Sequence, residues 1–357
     1  MATGSVSDGA AQKSVDGGAG RLAGGRLGTL QIVFFVIAAA SPLTVVLSTA
    51  PFSIRFGGIG APGAVLATGV VLILFACGFT AMSKYVRDAG AFYAYVGEGL
   101  GPRPGGGTAL MTMAAYGLCV IGFMGYLGVF AQQTASDIFQ LNLPWQFWSL
   151  LFAAIVAVVG YCQVDVGAKV LGVLLSLEVG VIVVLLVAVL IHGGPQHPSA
   201  APLSVHNVFF AKGSGTLFLL AFGAFIGFEG TAIYAEEAKR PERSVPLATY
   251  LAVGFLALFY TLSFWVVVYG YGIHDALAAA RSDNFLNMVF AEANRYVGNG
   301  LVTALRILIV TSFLATVIAF HNACTRYMFS LGRDGKLPRA WGAPTRACPH
   351  PTSRALL

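Results

Sequence analysis

Apolar runs of about 20 residues or more recur along the whole of this 357-residue chain. A helix of that length, at ~1.5 Å per residue, crosses a hydrocarbon core of about 30 Å. A single run of this kind suits a buried helix or an anchor. A succession of them, joined by short polar segments, leaves a bundle of membrane-crossing helices as the fold. Only 10% of the residues are charged and 57% are hydrophobic, against about 25% charged in soluble domains. A soluble enzyme, a disordered regulator and a secreted disulfide scaffold are thereby excluded. The 44 glycines suit close helix packing in a bilayer, where small residues let backbones approach.

Eight spans are read, at 29–53, 62–86, 107–133, 145–163, 169–192, 214–235, 246–271 and 299–331. Residues 1–28 form a Gly-, Ala- and Ser-rich tail, 29–340 the membrane core and 341–357 a Pro- and Arg-containing tail. The first apolar stretch is too long and too late for a signal peptide, so it is read as a retained span. Trp145 and Trp148 open the fourth span as an interfacial belt, and Tyr93 and Tyr95 are read as interfacial anchors. Cys77, Cys119, Cys162, Cys324 and Cys348 form no CxxC pair and read as small buried hydrophobes, with no metal site.

The net charge of +6 comes from loop residues. With the N-terminus in the cytoplasm, 16 of the 21 Lys and Arg fall in cytoplasmic segments and four in outer ones, with Arg306 inside a span. That bias fixes the orientation by the positive-inside rule. It also accounts for the basic charge without a nucleic-acid partner; the partners expected are the bilayer and a small substrate.

Two spans carry interruptions. The first has Pro42 near its middle, where proline removes a backbone hydrogen bond. The sixth has Gly223, Gly227 and Gly230 in its centre, with Glu229 between two of them. A mid-membrane carboxylate costs roughly 2.5–3.5 kcal/mol on insertion scales, so it needs a partner or water. A plain proline kink and a glycine packing face are the simpler readings. Interrupted segments at matching places of two five-helix repeats would instead mark a midplane binding site. Half-helix N–H groups suit a carboxylate and unwound carbonyls an ammonium, so the pair suits an amino acid.

The stretch Phe225 to Ala248, FIGFEGTAIYAEEAKRPERSVPLA, resembles the amino acid–polyamine–organocation permeases, whose sixth helix reads F-x-G-F-E followed by E-E-A-K-x-P-x-R-x-(I/V)-P. RDAGAFYAYVGEGLG after the second span and NACTRYMFSLGRDGKLP after the eighth are similar to two further segments of that family, with Ala91 replacing a glycine. The resemblance covers about residues 28–340. It implies an all-α polytopic membrane protein with the leucine-transporter-like inverted five-plus-five helix repeat. Relatives have about twelve spans, so the eight here imply a C-terminally truncated member. The implied activity is secondary active transport of an amino acid or related amine across the cell membrane by alternating access. The implied substrate-binding residues are Ala39, Ala40, Ser41, Pro42, Leu43 and Thr44, with Phe222, Gly223, Ala224, Phe225, Ile226 and Gly227. Many relatives carry G-S-G in the first break, whereas this chain has Ala40-Ser41-Pro42. Without those glycines the backbone reaches positive φ less readily, which weakens the case for an α-carboxylate held by bare N–H groups.

Glu178 lies in the fifth span among leucines and valines, so it points into the protein or is neutral. Glu178 and Glu229 are the candidates for coupling and gating, with a proton favoured over sodium and no cofactor expected. A structural hydrogen bond is the alternative for each. Ser312, Ala315, Ala319 and Ala323 make a small-residue face on the eighth span, and Ser312 with Thr316 is the weaker candidate for a cation site. His321 reads as structural, and Lys239, Arg240 and Arg243 with Glu236, Glu237 and Glu242 as a topological cluster or a gate. HExxH, GxSxG and Walker A strings are missing, so no enzyme is expected. The alternative to a transporter is a truncated, non-transporting remnant or a substrate-binding or sensing subunit.

Overall fold

The structure, a computed structural model, describes residues 28–83, 85, 92–161, 168–233 and 238–333. Its helices are α1 (Thr29–Ala40); α2, which runs from Pro42–Thr44 through a π-helical turn over Val45–Thr49 into Ala50–Gly57; α3 (Ala61–Met82); α4 (Phe92–Leu100); α5 (Pro102–Phe139); α6 (Trp145–Tyr161); α7 (Ala168–His192); α8 (Ser214–Ala224); α9 (Gly230–Ile233); α10 (Pro241–Tyr271); α11 (Ile273–Arg281); α12 (Met288–Tyr296); and α13 (Asn299–Arg333). No β-strand occurs among the described residues. An all-α polytopic membrane fold is the result.

Six helical stretches are long and apolar enough to cross a membrane: Thr29–Gly57, Ala61–Met82, Pro102–Phe139, Gly172–His192, Pro241–Tyr271 and Asn299–Thr325. They match the first, second, third, fifth, seventh and eighth sequence-read spans. The fourth is the shorter helix Trp145–Tyr161, and the sixth is broken after Ala224. The segments 193–213 and 272–298, expected as loops, contain α11, α12 and short 3-10 and π turns. Their apolar residues recur too briefly for a span, yet they suffice to bury one side of a short helix, as Met288, Val289 and Ala293 do on α12.

The helices pack in two groups. In one, α10 lies along α3 and α1, while α8 packs on α3 and on the end of α2. In the other, α5 lies along α13, α6 and α4. The fifth-span helix α7 joins them, touching α1, α10 and α13. Lipid tails are as apolar as leucine, so helix association here rests on packing and hydrogen bonds. The largest fully buried side chains, among them Tyr260, Phe264, Phe130 and Phe313, sit where α10, α5 and α13 meet their neighbours. Tyr95 is buried edge-on against Phe79, and half-buried Tyr93 packs on Tyr327.

Candidate functional site

The first span breaks at Ser41. Its backbone sits in the left-handed region at φ 49°, ψ 72°, and Pro42 opens α2. Proline is well suited to a first helical position and disfavours the right-handed α region for the residue before it. Ser41 nonetheless adopts positive φ, a conformation that costs a non-glycine residue more than it costs glycine. Ser41 is held by its surroundings: its hydroxyl lies 2.6 Å from that of Ser312 on α13. Backbone groups freed by the break find partners, as a bilayer requires. Thr44 Oγ1 donates to Ser41 O at 2.7 Å, Ser48 Oγ to Thr44 O at 2.6 Å, and Tyr260 Oη to Ala40 O at 3.2 Å.

The sixth span breaks over residues 225–229, between α8 and α9, in a run of turns. Gly227 has φ +105°, a conformation open to glycine and strained for other residues. It also faces the first break closely. A carbon at its Cβ position would lie 3.5 Å from the Ala39 carbonyl carbon. The two breaks thus lie side by side, with room for about a methyl group between the Gly227 and Ala39 backbones.

A carboxyl group stands at each. Glu178 comes from α7, which packs against the start of α2 at Pro42–Thr44. Glu229 accepts from the Gly227 N–H at 3.0 Å and from the Tyr116 hydroxyl on α5. Both glutamates are buried. The placement of Glu229 follows from its helix break, since only an interrupted backbone leaves an N–H free to donate to a side chain.

The residues implied as substrate-binding fall into two sets. Ala40, Ser41, Pro42, Leu43, Thr44, Ala224, Phe225 and Gly227 are buried around the junction, with Ala39 partly so. Phe222, Gly223 and Ile226 are exposed, Phe222 by 44%. The turns redirect the chain, so Phe222 and Ile226 do not share a face with Glu229. Phe225 packs edge-on to Tyr260, with ring centroids 5.8 Å apart. Thr316 donates to Ser312 O at 2.9 Å. On the small-residue face Ser312 is buried, Ala315 and Ala323 are half-buried, and Ala319 is exposed. His321 lies beside Gly160 of α6. Of the cationic cluster, Glu236 and Glu237 lie outside the described residues, as do Cys162 and Cys348.

Sequence reasoning missed three features. Tyr116, which holds Glu229, stacks on Tyr327 at 5.7 Å and packs with Phe320 in an aromatic cluster. Nothing in the third span distinguishes it from other core tyrosines. Arg306 pairs with Asp137 at 2.5 Å and donates to Asn287 Oδ1 at 3.1 Å, tying α13 to α5 and to the segment before α12; its rarity as a charge within a span was the available signal. Arg55 donates to Ala280 O and Ser282 O at 3.2 and 2.6 Å and lies over the Phe285 ring, closing the end of α2 against the 272–298 segment.

With two adjacent breaks and a buried carboxyl near each, the arrangement suits binding of a small polar molecule within a bundle. The family model described as amino acid permease matches residues 31–347. The chain belongs to the amino acid permease family. It is similar to the branched-chain amino acid permease BcaP of Lactococcus lactis subsp. cremoris (strain MG1363), at 24% identity over 83% of this chain and 67% of the relative. It is also similar to the lysine-specific permease LysP of the same organism, at 25% identity over 81% of this chain and 59% of the relative. An uncharacterized amino acid permease of Bacillus subtilis (strain 168), YecA, is 28% identical over 36% of this chain and 29% of that protein. This permease therefore spans between about a third and two thirds of the length of these relatives. The family is one of membrane transporters rather than an enzyme class, and this chain is accordingly a multi-pass membrane protein.

Proposed function

We propose that this permease carries an amino acid or a related amine across the cell membrane by alternating access, as a secondary active transporter. The substrate binds at the residues implied by the sequence where the breaks of the first and sixth spans meet. The N-terminus faces the cytoplasm, and the helices form the larger part of an inverted five-plus-five repeat. The observation that carries the reading is the approach of Gly227 to Ala39. Two interrupted spans, far apart in sequence, meet there within the bundle, which is the arrangement expected of a midplane transport site.

The two helix groups supply the moving parts. Rocking of the α1–α3, α8 and α10 group against the α5, α6 and α13 group would expose the junction to either side in turn. Glu178, on the helix between the groups, and Glu229, on the broken sixth span, are the groups we assign to coupling. Among the described residues neither carboxyl is paired with a Lys, Arg or His, and a carboxyl in the bilayer without a cationic partner exchanges a proton more readily than it holds a permanent charge, which favours a proton over sodium.

The test is uptake of labelled amino acids and amines into liposomes carrying the purified protein, with an imposed pH gradient. Substrate-dependent, gradient-driven accumulation supports the reading, and absence of flux for every compound overturns it. Glu178→Gln and Glu229→Gln are expected to lose gradient-driven accumulation by about tenfold or more. If both retain wild-type accumulation, neither is the coupling group.

A further inference from the structure

Two longer segments lie at one end of the bundle, 193–213 between α7 and α8 and 272–298 between α10 and α13. The Tyr296 hydroxyl, from the second, donates to Gly193 O at 3.4 Å and to Gly270 O at 2.8 Å, so both belong to the same end. Their surfaces differ. Residues 272–298 expose Asp275, Arg281, Asp283 and Arg295, whereas their large apolar side chains, Val297 apart, are buried or half-buried. That surface suits water. Residues 201–210 fold into a 3-10 turn and a π turn and expose Leu203, Val205, Phe209 and Phe210, Val205 by 64% and Phe210 by 73%. Large apolar side chains gathered and exposed on so short a stretch mark a surface made for contact.

The depth of this stretch in the membrane is set by what it packs on. A Cβ at Gly60 would lie 2.1 Å from Asn207 O, and one at Gly63 would lie 2.3 Å from Val208 Cγ2 and 2.9 Å from Pro202 O. The stretch therefore sits directly on the first turn of α3. With 22 residues, α3 at ~1.5 Å per residue is just long enough for a hydrocarbon core of about 30 Å, so its first turn lies at the edge of that core. Phe209 reaches further in: its ring packs on Phe218, in the second turn of α8, with centroids 5.3 Å apart. Pro202 and Val208 are buried beneath, and the Asn207 side chain donates to Ala201 O at 2.8 Å, which fixes the two turns on each other. Apolar groups at that depth on the outside of the bundle meet lipid. His206 and Lys212, the exposed polar residues beside them, suit the headgroup level, the lysine stem lying along apolar surface with its ammonium toward phosphate. We infer that residues 201–212 form an in-plane membrane anchor, with Leu203, Val205, Phe209 and Phe210 seated among the acyl chains of the adjoining leaflet. The partner is the phospholipid bilayer. Because α8 starts at Ser214, the anchor also fixes the point at which the sixth span enters the membrane.

Depth-resolved spin labelling tests the anchor. With the native cysteines replaced, Phe210→Cys, Val205→Cys, Leu219→Cys and Asp283→Cys proteins are spin-labelled in phospholipid nanodiscs. Collisions of each label with molecular oxygen and with a neutral, polar nickel chelate are then compared. Oxygen concentrates in hydrocarbon, and the chelate is excluded from it. Leu219, exposed on α8, is the lipid-facing standard, and Asp283 the water-facing one. The ratio of oxygen to chelate collisions at 205 and 210 is expected to exceed that at 283 by about tenfold or more and to approach that at 219. A ratio at both positions equal to that at 283 would place the stretch in water and overturn the inference. Exclusion of both reagents from both positions would mean that protein covers the patch, a second copy or another partner, and would overturn it as well. If Phe210→Cys loses its cooperative melting, Val205→Cys decides.

Discussion

Glu292 on α12 is 1% exposed, and neither of its carboxyl oxygens has a hydrogen-bond partner. It presses on Gly270, where a Cβ would lie 2.0 Å from Oε1, so only glycine leaves room for it. Arg295 is the positive charge acting on it, and the Tyr271 and Tyr296 hydroxyls are the other titratable groups that feel it. Burial outweighs Arg295 and pushes the Glu292 carboxyl well above the ordinary carboxylate range. The native state then keeps a proton that the unfolded chain releases near pH 4.3, the usual value for a free Glu, taken as about that figure. Where the native state binds more protons, stability falls as pH rises. The contribution is thus fully present below the unfolded value and is lost progressively toward the raised native one. Melting temperatures of detergent-solubilised protein between about pH 4 and 8 should fall with pH for the wild type and stay flatter for Glu292→Gln. Equal slopes for the two would show that Glu292 is not the group responsible. No spacing in the sequence singles out this residue, because Phe290-Ala291-Glu292-Ala293 reads as a loop until α12 is seen to fold back onto α10.

At the scale of elements, close approach is set by individual glycines. On α5, a Cβ at Gly128 would lie 2.0 Å from Ser149 Oγ and 2.6 Å from Trp145 O of α6. Gly125, one turn earlier, faces open space. Gly128→Ala should force α5 and α6 apart and destabilise the protein by about 1–3 kcal/mol, the range for overpacking a close contact. Gly125→Ala should be neutral or stabilising by up to about 1 kcal/mol, through helix propensity. A lower melting temperature for Gly128→Ala alone would support the contact, and matched effects of the two would refute it. The same scale shows what the sequence could and could not convey. Pro42 and the three glycines of the sixth span announced both breaks, because backbone chemistry is local. The π turn over Val45–Thr49 and the packing of α7 against the start of α2 were not readable, because each depends on which helix packs alongside. Ser41 could be recognised as the break, but its hydroxyl partner Ser312, 271 positions away, could not.

For the whole molecule, the question is what holds one face of the junction closed. Phe52 of α2 packs edge-on against Phe285 with centroids 4.7 Å apart, and against Tyr126 of α5 at 5.8 Å. Beside them Arg55 is bound to two carbonyls of the 272–298 segment and lies 4.5 Å from the Phe285 ring centroid. On the proposed function this is the outer side, and alternating access would require these contacts to part during each cycle. Hydrogen bonds from a charged donor are worth about 1.5–3 kcal/mol each, so their loss is enough to shift a two-state equilibrium by tenfold or more. Ser48 is buried between the break and this face, which makes it a reporter. With the native cysteines replaced, a Ser48→Cys protein in nanodiscs should react with a bulky water-soluble maleimide about tenfold faster once Arg55→Ala is added. Arg281→Ala, at an exposed position of the same face, should leave the rate unchanged. An Arg55→Ala rate equal to the parent's would mean that this contact is static packing, and the closing of the face would then have to rest on the aromatic pair alone.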